Sequence, residues 1–304
     1  MPTEIPNTEE KFNLLSHIET RASNAACEER WAELPDGRMR YLQAGSGRAL
    51  ILVHGLMGYS FSWRFAIPEL AAHAMVYAID NLGAGLSVAP EGMDSSMRAS
   101  ADRVLRFADA LGLTDFDLLG TSHGGAVAMM AAAICTERND SRLKRLILVA
   151  PVNPWSRHGR WLAPFLGGRV GSVVFHNTIA RWRFLDNLWL RRIFGDASKI
   201  PADSLEGYRR PVLENHGLQH GHRIVSTWRE DLAELEKALS KIRNYPTLLM
   251  WGTKDRAVSF HSAKTLCQNF RDCRLVAFSG VGHLPYEEAP QEFNRALIEF
   301  LTAM

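Results

Sequence analysis

The stretch Asp117-Leu118-Leu119-Gly120-Thr121-Ser122-His123-Gly124-Gly125-Ala126 decides the fold, because it passes from an apolar strand into a helix of small residues through a G-x-S-x-G turn. A serine on so tight a strand-to-helix turn must take a strained backbone conformation. The residues two positions to either side then approach each other closely, and Gly120 and Gly124 are small enough to allow it. The turn exposes the Ser122 hydroxyl at a helix N-terminus, where backbone N–H groups and the helix dipole favour developing negative charge. A bare G-x-S-x-G is a weak signal. The apolar strand before it and Ala126, Ala128, Ala131 and Ala132 after it make it a strong one.

Working outward from Ser122, short continuous apolar runs recur, each ending in a polar, Gly or Pro residue. Residues 49–53 end at His54-Gly55, 75–79 at Asp80, 146–150 at Pro151, 247–251 at Gly252 and 275–278 at Ser279. Such runs fit strands buried on both faces of a parallel sheet. Helical stretches over 96–111, 125–137, 259–270 and 290–303 lie between them. The alternation predicts an α/β fold with a doubly wound, mostly parallel sheet. Residues 28–43 read as a hairpin turning at Asp36-Gly37. Phe12, Leu15, Ile18 and Ala22 place an amphipathic helical arm in 8–26.

Between 156 and 243 the alternation stops. That region carries 15 Lys/Arg against 9 Asp/Glu, about +6, while the remainder is about −4. A helical insertion between two core strands is a cap in outline. The expected organisation is an N-terminal arm over 1–28, a core over 29–155 and 244–304, and a helical cap over 156–243. Within the cap, Ile179, Trp182, Leu185, Trp189 and Ile193 fall on one helical stripe. Trp161, Trp182, Leu185 and Trp189 are the candidate pocket residues.

The 304 residues are 46% apolar and 22% charged, ordinary for a globular protein and excluding disorder, collagen and coiled coil. A formal net charge of +2 is far less basic than a dedicated nucleic-acid binder would show. The four cysteines, Cys27, Cys135, Cys267 and Cys273, form no C-x-x-C pair and read as free thiols, with Cys135 and Cys267 in the core. No apolar run approaches about 18 residues, so no spanning helix is expected, and membrane association is not. The first twenty residues lack a basic segment followed by an apolar one, which argues against a signal peptide and for a cytoplasmic location. The chain says nothing of its oligomeric state.

A serine nucleophile needs a base, and the base an orienting acid. His283 follows the last core strand and Asp255 the one before it, in the chain order Ser…Asp…His expected on this scaffold. The competing acid position, after the strand ending at Ala150, holds Asn153. An acyl-transfer site also needs two donors aimed at the developing oxyanion. The backbone N–H groups of Leu56, in His54-Gly55-Leu56-Met57-Gly58, and of His123 are assigned that role, with His54 shaping the loop.

With these residues in place, the sequence resembles the α/β-hydrolase superfamily. HGLMG (54–58), DNLGAGLS (80–87), GTSHGG (120–125), WGTKD (251–255) and VGHLPYEEAP (281–290) occur in the superfamily's order and approximate spacing over most of 49–304. SFSWRFAIPELA (60–71) and DNLGAGLS look like the capped branch of esterases, epoxide hydrolases and dehalogenases. Epoxide hydrolases and dehalogenases of that branch use an aspartate nucleophile, and Ser122 argues against both activities. The resemblance implies a triad of Ser122, Asp255 and His283, an oxyanion hole at Leu56 and His123, and no cofactor. It gives Gly83 and Gly85 a turn without chemistry and Asp80 the task of fixing a loop.

The leading expectation is a capped serine hydrolase of a carboxylic ester with an apolar acyl or aryl group. The same residues could serve a C–C bond hydrolase of ring-cleavage products, which the basic cap would suit. Families of that kind tend to place Trp directly after the catalytic histidine, where this chain has Leu284. Amidase, aminopeptidase and acyltransferase chemistry and a non-catalytic ligand receptor are the other readings. His216, His220 and His222 lack the carboxylate, Cys or spaced His partners a zinc site would want, so no metal is expected.

Overall fold

The computed structural model describes residues 27–156, 168, 171, 183–214 and 217–303. Eight strands form one sheet: β1 (Glu28–Leu34), β2 (Gly37–Ala44), β3 (Ala49–Val53), β4 (Met75–Ile79), β5 (Phe116–Thr121), β6 (Leu143–Val149), β7 (Thr247–Gly252) and β8 (Cys273–Phe278). Their spatial order is β1-β2-β4-β3-β5-β6-β7-β8. The hairpin at Asp36-Gly37 joins β1 to β2, which pairs antiparallel with β4, and every later pairing is parallel. This is the doubly wound, mostly parallel sheet that the alternating apolar runs predict.

Strand burial explains why those runs are unbroken. Every residue of β3, β5 and β7 is buried, whereas the edge strands β1 and β8 are largely open on their solvent side. Alternate residues of β3 divide between two cores, Ile51 and Val53 to one face and Leu50 and Leu52 to the other. The nine described α-helices are α1 (Ile67–Leu70), α2 (Met97–Ala110), α3 (His123–Arg138), α4 (Arg183–Ile193), α5 (Ser204–Glu214), α6 (Gly217–Ala238), α7 (His261–Cys267), α8 (Pro285–Glu288) and α9 (Pro290–Thr302). Helices α2, α3 and α7 and the second half of α6 cover the first face. Helices α1, α4, α8 and α9 contribute to the second. Helix α3 is buried from His123 to Cys135, and only residues as small as its Gly and Ala let it lie so close to the sheet.

Between β6 and β7 the described residues form helices and no strand. The arm over 8–26, Trp161, Trp182 and His216 lie outside the described residues. Leu185 is in α4.

One expectation from the sequence fails. Cys267 and Cys273 are joined in a disulfide, not free, because α7 ends and β8 begins with their Cα atoms 5.7 Å apart. Cys135 is a free, buried thiol, which burial pushes up to about 12, and Cys27 is buried as well.

Candidate active site

Parallel strands deliver their C-terminal ends to one edge of the sheet, and the loops leaving that edge carry the candidate residues. Val53 at the end of β3 pairs with Gly120 of β5, Thr121 with Val149 of β6, Val149 with Met250 of β7, and Gly252 with Phe278 of β8. Loop 54–58, Ser122, Asp255 and His283 all leave just beyond this row.

Ser122 is half-buried at φ 52°, ψ −121°, a conformation L residues rarely adopt, and it sits at the N-terminus of α3. Its backbone is held on both sides: the Ser122 N–H donates to Val149 O at 2.9 Å, and Ser122 O accepts from Val152 N at 2.9 Å and Gly125 N at 3.0 Å. A Cβ on Gly120 would collide with the Gly124 carbonyl, and one on Gly124 with the His54 and Val53 carbonyls. The two glycines therefore let α3 start against β5 and β3.

Loop 54–58 is shaped by His54. Its Nε2 accepts from Asn81 N–H at 3.0 Å, so the ring proton is on Nδ1, which donates to Gly55 O at 2.8 Å. Burial holds this imidazole below its ordinary value, consistent with a neutral ring. Gly55 O also accepts from Gly58 N at 3.0 Å. In a trans peptide the N–H points opposite to the C=O, so the Leu56 N–H leaves the loop on the other side. A Cβ on Gly55 would lie 3.1 Å from Ser122 Cβ, which puts this peptide beside the serine. Neither the Leu56 N–H nor the His123 N–H has a backbone acceptor among the described residues. The His123 ring is buried against Trp228 of α6, centroids 5.9 Å apart, and burial pushes it down to about 4.

His283 Nδ1 lies 2.7 Å from Asp255 Oδ2, and both side chains are buried. The other carboxylate oxygen, Asp255 Oδ1, accepts from Ala257 N at 2.8 Å and Val258 N at 2.9 Å. The carboxylate is thus fixed in plane with one oxygen left for the imidazole. Asn153 is committed elsewhere, donating to Pro151 O at 2.9 Å and Ser262 Oγ at 3.0 Å. Ser122 Oγ makes no hydrogen bond to a described residue. Catalytic contacts of this kind commonly tighten only with substrate bound.

Asp80 fixes a loop, accepting from Ser60 N at 2.7 Å, Leu86 N at 3.0 Å and Arg40 Nη1 at 3.1 Å. His220 is buried beside Ser95 Oγ at 3.2 Å. Trp189 is 51% exposed, while Leu190 and Ile193 of the same helix are buried.

A buried ionic network, not foreseen from the sequence, ties α5 to the core. Arg64 donates to Glu287 Oε2 at 2.9 Å, Ser204 Oγ at 2.9 Å and Asp203 Oδ2 at 3.2 Å. Tyr208 Oη donates to Glu287 Oε1. Glu287 and its neighbour Glu288 lie in VGHLPYEEAP, and only the acidic pair amid apolar residues could have signalled them.

A family model described as the alpha/beta hydrolase family matches residues 50–296. Haloalkane dehalogenase 2 of Mycobacterium tuberculosis is 29% identical over 282 residues, covering 90% of this chain and 94% of that protein. The 2-hydroxy-6-oxo-2,4-heptadienoate hydrolase of Pseudomonas putida is 26% identical, covering 85% and 91%. Among solved structures, a membrane phospholipase A described as a bacterial virulence factor superposes with a TM-score of 0.79 at 24% identity, covering 95% of this chain and 90% of that one. No described helix is long and apolar enough to cross a membrane.

Proposed function

The chain belongs to the alpha/beta hydrolase family, and from that premise we propose that it is a serine hydrolase of carboxylic esters working through an acyl-enzyme. The observation that carries the reading is the 2.7 Å contact of His283 with a carboxylate already held by backbone donors, at the sheet edge where the strained Ser122 emerges. Ser122 Oγ attacks the ester carbonyl and His283 Nε2 takes its proton. Asp255 holds the imidazole in the tautomer that leaves Nε2 free and stabilises the imidazolium. The Leu56 and His123 N–H groups, with no backbone acceptor among the described residues, receive the oxyanion. His283 then protonates the leaving alcohol, and a water repeats the sequence on the acyl-enzyme. These steps need no metal or cofactor, so activity is expected to survive EDTA and dialysis.

The helical region between β6 and β7 is read as the cap over this edge, with Trp161, Trp182, Leu185 and Trp189 as its pocket side chains. A small-molecule ester with an apolar acyl or aryl group fits that lining. A cytoplasmic location remains the accompanying reading, and the Cys267–Cys273 disulfide runs against its reducing premise.

A second reading has support. The Pseudomonas putida relative is named as a hydrolase of a dienoate, and the region 156–243 has a net charge of about +6, suited to an anionic substrate. Leu284 directly after His283 argues against it. Dehalogenation is disfavoured because Ser122 stands at the elbow where dehalogenases of the branch use aspartate. Purified protein offered p-nitrophenyl esters of increasing acyl length beside a 2-hydroxy-6-oxo-dienoate decides between the readings. Ser122-dependent ester turnover supports the proposal, and turnover of the dienoate alone transfers the assignment to C–C cleavage.

A further inference from the structure

The loop that carries His283 is joined to the end of α4 by one buried carboxylate. Glu288 Oε2 accepts from Gly282 N at 2.7 Å and from Gly195 N at 2.9 Å, and Oε1 accepts from Asp196 N at 2.8 Å. The ring is closed by His283 itself, whose N–H donates to Ile193 O, the last residue of α4, at 2.7 Å. A carboxylate is the side chain that can accept several backbone N–H groups at once, and hydrogen bonds to an ionised acceptor are about twice as strong as neutral ones. The two segments also touch backbone to backbone. A Cβ on Gly282 would collide with Ile193 O and Gly195 N, and one on Gly195 with Gly280 O.

We propose that Glu288 is a positioning residue for the catalytic base, locking the His283 loop to the C-terminal end of α4 so that the seating of that helix sets the imidazole against Ser122. The proposal rests on the serine-hydrolase reading above. Asp255 fixes the imidazole ring from Nδ1, and Glu288 fixes the backbone from which the ring hangs. Helix α4 holds its place through Leu190, Ile193 and Phe194 in the core of the second face. A substrate that presses on its other residues therefore acts on the base through three N–H···Glu288 bonds and the Ile193–His283 bond. Glu288 spends its hydrogen bonds on the Gly195, Asp196 and Gly282 N–H groups and not on Ser122 or Asp255, so its removal is expected to leave the reacting groups present and misplaced.

The test compares Glu288→Ala, Glu288→Gln and Gly195→Ala with the wild type, using ester kinetics and the NMR signal of the His283 Nδ1 proton. Glu288→Ala is expected to lower kcat by about a hundredfold, the cost of roughly 1 Å of misplacement, with KM within about threefold. Its Nδ1 proton signal should move or broaden. Glu288→Gln, which keeps one oxygen acceptor, should restore part of kcat, and Gly195→Ala should lower kcat from the other side of the junction. Should Glu288→Ala fail to fold, the Gln and Gly195 variants carry the same comparison. Wild-type kcat and an unmoved Nδ1 signal in folded variants, with only a lower Tm, would overturn the proposal. A wild type inactive on every ester would instead sink the ester-hydrolase reading, and the NMR signal would still report whether Glu288 positions the backbone that carries the imidazole.

Discussion

Ser122 stands at φ 52° with a full side chain, a conformation that costs of order 1–3 kcal/mol and persists where the surroundings over-determine it. Here the surroundings are the Val149, Val152 and Gly125 hydrogen bonds and the collision-free passage of Gly120 past Gly124. The strain presents the hydroxyl at the N-terminus of α3, beside the loop that carries Gly55. Asp255 is the matching case of restraint by partners, since Ala257 and Val258 leave only Oδ2 to the imidazole. Asp255→Asn keeps the size of the side chain but presents an amide to His283 and favours the wrong tautomer. It is expected to lower kcat by about 10⁴-fold, read by steady-state hydrolysis of a p-nitrophenyl ester. Activity within about tenfold of wild type would hand the orienting role to another carboxylate. The places of these residues were legible in the sequence because each stands at or shortly after the end of an apolar strand, where chemistry-bearing residues of a parallel sheet collect; their roles belong to the proposal above.

The elements were legible where one period dominated and obscure where none did. Buried strands such as β3 and β7 announce themselves as unbroken apolar runs. Helix α4 does not, because Leu185, Leu188, Trp189, Leu190, Ile193 and Phe194 are apolar almost all round. A single stripe through Trp182, Leu185, Trp189 and Ile193 groups Trp189 with Ile193, yet Trp189 is half in solvent and Ile193 is buried. The Cys267–Cys273 bridge was hidden because nothing in a six-residue spacing says that a helix end meets a strand start. Glu287 was hidden because its partners are distant in sequence, on Arg64 and Tyr208. Removing one partner of a buried ion pair leaves the other charge stranded, so Glu287→Ala should destabilise the fold by about 3 kcal/mol. Hydrogen exchange should locate the loss of protection in 204–214, on α5. Uniform loss across the sheet would mean that the network braces the core and not that helix.

At the scale of the whole molecule, the polar groups buried around the site make it sensitive to acid. Burial holds His123 at about 4 and His220 at about 3, and it lowers His54 as well. An unfolded imidazole has its pKa near 6.5. Below that pH the unfolded chain binds protons that the native imidazoles refuse, so their stabilisation, complete above about pH 6.5, is lost as the pH falls toward 4 and 3. Asp231, raised to about 6 by burial, works in the opposite direction, favouring the native state as the pH drops from 6 toward 4. Three lowered imidazoles outweigh one raised carboxyl. Urea denaturation at pH 7, 6, 5 and 4 should therefore show stability declining below about 6.5, and His220→Gln should flatten the decline. A profile flat from pH 7 to 5 would mean that these rings protonate in the native state.

The cap reading is also a statement about the whole chain. Trp182→Ala or Trp189→Ala should alter acyl-length preference more than the chemical step, since apolar lining orients substrate and carries no charge. An unchanged ester-length profile with a lowered Tm would return these indoles to a packing role.

The identity of the acylated residue is the most direct test of all. Purified protein should be treated with a fluorophosphonate, digested, and its adduct located by mass spectrometry. The expected result is one adduct, on Ser122, absent from Ser122→Ala. An adduct on another serine, or a Ser122→Ala variant that labels like wild type, would contradict Ser122 as the nucleophile.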